Sequence, residues 1–82
     1  MFIAKVIIKR RPTILDPAGK AVEQGAKLLG ISNVSGTRIG KYIEFIVNTD
    51  DKSAADNEVK IYCEKLLSNP IMEDFEYTLE EI

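Results

Sequence analysis

At 82 residues, 45% of them apolar, with a net charge of −2, the chain has the size of one domain, residues 1–82. One cysteine and no histidine exclude a disulfide framework and any Ser-His-Asp or Cys-His mechanism built within one copy. No stretch approaches the ~20 apolar residues of a membrane span and none reads as a secretory leader, so no membrane association and a cytoplasmic location are expected.

Phe2-Ile3-Ala4-Lys5-Val6-Ile7-Ile8-Lys9 reads as the first strand. Its even positions are all apolar and its odd positions alternate Ile with Lys, the pattern of a central strand with one fully apolar face. Arg10-Arg11-Pro12-Thr13 is a connection. Asp16-Pro17 opens a helix: Asp16 accepts from free N–H groups, and Pro17 has no N–H to leave unsatisfied. Ala18, Ala21, Val22, Gly25, Ala26 and Leu29 follow helical spacing, and Gly30 ends the helix as a left-handed cap. Gly25 on that stripe suggests close approach to a sheet.

Two alternating segments, Val34 to Ile39 and Lys41 to Val47, then meet at Gly40. A glycine takes positive φ without steric cost, so a tight hairpin is expected there, its tip flanked by Arg38 and Lys41. The two cations are equally consistent with a solvated tip and with a contact for an anion or a partner carboxylate. Asn48 to Asp51 is a polar connection. Ser53 and Asp56 fit a helix start, and Ala55, Val59, Tyr62, Cys63 and Leu66 form its stripe until Asn69-Pro70 stops it. Cys63 on such a stripe is a small core residue. Phe75, Tyr77 and Leu79 alternate with Asp74, Glu76, Thr78 and Glu80 in a last strand.

The order strand, helix, strand, strand, helix, strand predicts an α+β, ferredoxin-like βαββαβ plan: an antiparallel sheet with two helices on one face. The last strand then lies beside the first. This bears on a strong charge split. Residues 1–41 carry eight Lys/Arg against two Asp/Glu, and residues 42–82 three against eleven. Adjacent strands set Asp74, Glu76 and Glu80 on one face with Lys5 and Lys9, where opposite charges contribute roughly 0.2–1 kcal/mol each, and this weakens the case for nucleic acid as partner. The helix-free face still holds Ile3, Ile7, Tyr42 and Ile46. An apolar patch of that kind on a small domain marks an interaction surface, so association through the sheet is expected.

No Walker sequence, no G-x-G-x-x-G and no C-x-x-C is present. Only Tyr42 meets the aromatic requirement of an RNA-recognition sheet. A small amino-acid-binding regulatory domain of the same topology stays open as an alternative, because such domains hold their ligand largely by backbone groups.

The chain resembles the PurS family, the small subunit of phosphoribosylformylglycinamidine (FGAM) synthase. The likeness runs through Leu15 to Val22, Val34 to Glu44 with Arg38-Ile39-Gly40-Lys41-Tyr42 at its centre, Cys63 to Ile71, and Glu73 to Tyr77. The resemblance implies a non-catalytic subunit in purine biosynthesis that bridges an ATP-dependent synthetase, PurL, and a glutaminase, PurQ, and supports transfer of glutamine-derived ammonia. It implies no cofactor in this subunit, ATP and Mg being held by the large one. With the bare sheet face it leads to the expectation of a homodimer or tetramer pairing through Ile3, Ile7, Tyr42 and Ile46, and contacts to the larger subunits are expected through Arg38, Gly40, Lys41, Asp16 and Pro17.

Overall fold

The computed structural model describes residues 1–82. Strand β1 (Phe2–Arg10) is the centre of a three-stranded antiparallel sheet, with β2 (Lys41–Val47) and β3 (Glu73–Glu81) on either side. Phe2 faces Val47 and Ile8 faces Lys41 across one ladder; Phe2 faces Glu81 and Arg10 faces Glu73 across the other. Helix α1 (Pro17–Leu28) lies between β1 and β2, and α2 (Lys52–Tyr62) between β2 and β3.

The alternation of β1 decides where the core sits. Phe2, Ala4, Val6 and Ile8 are at most 4% exposed and pack against Ala55, Val59 and Cys63 of the second helical segment. Ile43, Phe45, Phe75, Tyr77 and Leu79 flank them from the neighbouring strands. Asp51, not Ser53, caps α2, accepting from the Ser53 N–H at 3.0 Å. The helix ends in a π turn, Cys63–Leu67, whose wider winding brings Leu67 onto the stripe of Val59 and Cys63 and leaves Leu66 76% exposed. A regular α-turn would place Leu66 on the stripe, as its spacing predicts.

Two expectations fail. Residues 34–40 form no strand and Gly40 makes no hairpin. The N–H groups of Thr37 and Ile39, which a ladder would pair, donate instead to the Glu23 and Asp16 carboxylates at 2.6 and 2.8 Å. Gly40 does not adopt positive φ; only Gly30 and Gly36 do.

Nor do both helices cover the sheet. α2 packs on β1, whereas α1 has no comparable contact with any strand and supplies nothing to the apolar core. Val22 is 54% exposed and Leu28 90%. The overall extents are 51 × 27 × 14 Å and the radius of gyration is 16.4 Å, against about 12 Å for a compact domain of this length. A nine-residue strand spans roughly 30 Å and a twelve-residue helix roughly 18 Å. Their sum accounts for the long axis: α1 stands beyond the end of the sheet.

Candidate functional site

β1 ends and β2 begins at the same end of the sheet, so the chain leaves toward α1 and returns from it side by side. Asp16 caps α1, Oδ1 accepting from the Gly19 N–H at 3.0 Å. Its Oδ2 accepts from Ile39 on the returning segment. Asp16 is 4% exposed and both its oxygens are partnered. The Ile39 N–H, then that of Gly19, hold its carboxyl below the usual carboxylate range; burial opposes them, and Arg38 and Arg10 add smaller lowering effects. The Thr37 N–H and hydroxyl likewise lower the Glu23 carboxyl.

Arg38 closes the same junction. Its Nη2 lies within hydrogen-bonding distance of the carbonyl oxygens of Arg10, Arg11 and Ile14, the last at 2.9 Å. Those carbonyls belong to the outgoing segment, which forms no regular element of its own; a guanidinium satisfies several acceptors at once. The Arg11 N–H bonds to Met72 O at 2.9 Å, and the Arg11 side chain reaches Pro70 O and Asp74. The junction is thereby continuous with the turn before β3.

Two glycines permit the close passage. A Cβ on Gly19 would lie 2.1 Å from the Thr37 carbonyl oxygen, and one on Gly40 2.5 Å from that of Ile8. Gly25, expected to make such an approach, has open space around it. The structure therefore brings Asp16, Pro17, Arg38, Gly40 and Lys41 to one end of the sheet, at the base of α1. Arg38 is not the free tip of a hairpin, and Lys41 lies 3.7 Å from Glu73 Oε1. Glu23 and Gly19 escaped the sequence reading. A helical acid two turns from its cap carries no local signal of a long-range acceptor, and Gly19 reads only as a weak helix former.

Ile3, Ile7, Tyr42 and Ile46 gather as expected on the helix-free face. Ile7 pairs with Tyr42 and Ile3 with Ile46 across β1 and β2, and Tyr42 and Ile46 are more than half exposed. The Tyr42 hydroxyl donates to Glu44, and this bond raises its pKa. The other half of that face is charged. Lys5 lies 3.3 Å from Glu80, Lys9 3.6 Å from Glu76, and Arg11 3.0 Å from Asp74, so the basic and acidic halves of the chain meet within one protomer.

Reactive chemistry is sparse. Cys63 is fully buried, and burial pushes its thiol pKa up, the opposite of an activated thiolate. Tyr77 donates to Asp56 Oδ1 at 2.7 Å, which pushes its pKa up to about 12. No three His, Cys, Asp or Glu side chains are grouped to hold a metal ion, and no helix is long and apolar enough to cross a membrane.

Comparison with known proteins places this geometry. A family model described as PurS, phosphoribosylformylglycinamidine (FGAM) synthase, matches residues 3–81. The PurS subunit of FGAM synthase of Bacillus subtilis is 38% identical over 82 residues, covering 100% of this chain and 96% of that protein. That of Methanocaldococcus jannaschii is 34% identical and covers 100% and 99%. The solved structure of Bacillus subtilis PurS superposes with a TM-score of 0.90, covering 99% of this chain and 100% of that one. A chain in the structure of PurLQS from Thermotoga maritima does so at 0.82, with 30% identity and coverage of 98% and 99%.

Proposed function

Because this chain belongs to the PurS family of FGAM synthase, we propose that it is the small, non-catalytic subunit of that enzyme in purine biosynthesis, joining a PurL-like synthetase to a PurQ-like glutaminase. The observation that carries this is likeness over the whole length, including a TM-score of 0.82 to a chain of a PurLQS assembly. In this reading residues 1–82 act as one cytoplasmic domain without a cofactor of their own. Ammonia is protonated and diluted once free in water, so holding the two active sites in fixed relation favours its transfer over its loss.

Two surfaces serve the assembly. The junction of Asp16, Pro17, Arg38, Gly40 and Lys41 faces the larger subunits. The apolar half of the open sheet face, Ile3, Ile7, Tyr42 and Ile46, pairs with a second copy, giving a dimer or a dimer of dimers. The bare apolar residues of α1 support the same pairing, because no part of their own protomer covers them.

The test is reconstitution with the synthetase and glutaminase subunits. Omitting this chain should abolish glutamine-driven FGAM formation and leave ammonia-driven formation largely intact. Full glutamine-driven activity without it would overturn the reading.

A further inference from the structure

We infer that the groove between the end of β1 and the start of β2 docks an acidic peptide segment of the larger subunits. The inference rests on the adaptor role proposed above and assigns the chemistry of that contact.

Where the two strands meet the junction they leave a concavity of about 550 Å³. Gly40 gives it backbone only. Ile7, Ile39 and Tyr42 supply apolar lining and are all exposed. The charged lining is Lys9, Arg10, Arg38 and Lys41, with no carboxylate among them. Other concavities of the molecule mix the signs. Asp16 and Glu23 stand with Lys20 and Arg38 in one, Lys5 with Glu76 in a second, and Arg11 with Glu73 and Asp74 in a third. The four cations of the groove are held loosely from outside it. Lys9 Nζ lies 3.6 Å from Glu76, a pair exposed at both ends that contributes no more than about 1 kcal/mol. Lys41 Nζ lies 3.7 Å from Glu73 Oε1, which already accepts from the Asn69 N–H at 2.8 Å. Arg10 Nη1 reaches Leu15 O only at 3.5 Å. A carboxylate entering the groove gains a charge-assisted hydrogen bond without breaking a strong one.

Charge and shape decide the occupant. An open groove with several cations around an apolar lining fits an extended segment whose carboxylates flank an apolar side chain; a single compact anion would leave most of it empty. The β3 acids of a second copy are already drawn to Lys5, Lys9 and Arg11 of their own protomer. The groove is also continuous with Arg38, Gly40 and Lys41 of the junction that faces the larger subunits in the role proposed above.

The test titrates the full chain into the synthetase and glutaminase subunits over a series of sodium chloride concentrations. Lys9→Gln combined with Lys41→Gln should weaken binding by about tenfold or more and flatten its dependence on salt, while the thermal midpoint stays near that of the parent. Lys5→Gln, which removes one charge from the same sheet outside the groove, should change binding by less than about twofold. Tight binding by the double variant with the parental salt dependence would overturn the acidic segment. Stronger displacement by inorganic phosphate than by chloride of equal ionic strength would make the groove a phosphate site and overturn it too. Light scattering of the isolated chain supplies the remaining arm: a matching loss of self-association in the double variant would give the groove to a second copy instead. A parent chain that binds neither larger subunit would overturn the adaptor role itself, an outcome distinct from these.

Discussion

Gly40 illustrates how one residue is needed for a reason its local sequence does not display. Between two alternating segments it looks like a turn glycine, yet its φ is not positive, and what matters is the Ile8 carbonyl oxygen 2.5 Å from where a Cβ would stand. Backbone atoms of a central strand do not yield as a flexible side chain does. Gly40→Ala should therefore destabilise the protein by about 1–3 kcal/mol, read as a lower urea midpoint with an unchanged slope; an alanine variant of parental stability would show that the passage is not tight. Asp16 makes a second residue-scale case. Its pKa is lowered in the folded chain, first by the Ile39 N–H, so the unfolded chain binds its proton at higher pH. The resulting stability is full above the ordinary carboxylate value and is lost as pH falls from about 4 toward the lowered native value. Urea melts across that range should show an acid limb that is shallower in Asp16→Asn, together with a lower midpoint for that variant at pH 7. Parallel limbs would mean that other carboxylates carry the acid sensitivity.

Elements with strong periodicity were legible, and those shaped by distant partners were not. β1, β2 and β3 form where alternation predicts them, α1 begins at Asp16-Pro17, and Gly30 caps it. The second helical segment departs from expectation only where the π turn shifts its last residues. That shift makes a sharp prediction. Leu67, packed against the core, should lose about 2 kcal/mol on truncation to Ala, whereas Leu66→Ala should stay within about 0.5 kcal/mol of the parent. Equal losses would indicate a regular α-turn through this segment. The absent fourth strand has the opposite origin. Val34 to Ile39 alternates like a strand, and the N–H groups of Thr37 and Ile39 are satisfied, but by the carboxylates of Glu23 and Asp16, which lie 14 and 23 residues away. Local propensity specifies extended backbone; which acceptor it finds is a tertiary matter.

At the scale of the molecule, a sheet with helical cover on one side and a helix standing off its end is an incomplete structure. Its buried apolar core holds eight residues, none of them from α1. The open sheet face has an apolar half and a half neutralised by pairs such as Lys5–Glu80 and Lys9–Glu76, exposed pairs of the kind that contribute no more than about 1 kcal/mol each. Charge there sets register, and apolar area is what a partner gains. Ile46→Lys, at a 59% exposed position, should accordingly leave the thermal midpoint of the isolated fold nearly unchanged while reducing association at least tenfold in light scattering. Undisturbed association would remove the sheet face from the interface.

The sequence alone determined the α+β class, the alternating faces of the strands, the cap of α1 and the kinship with PurS, because each depends on neighbours within a few positions or on a motif read in order; the pairing of basic and acidic strands followed from the order of the elements. Only the tertiary structure decided that Arg38 and Asp16 bind their own chain, that Val34 to Ile39 stays out of the sheet, and that α1 leaves the core. Those outcomes depend on which of several chemically equivalent acceptors lies within 3 Å, a distance that spacing along the chain does not encode.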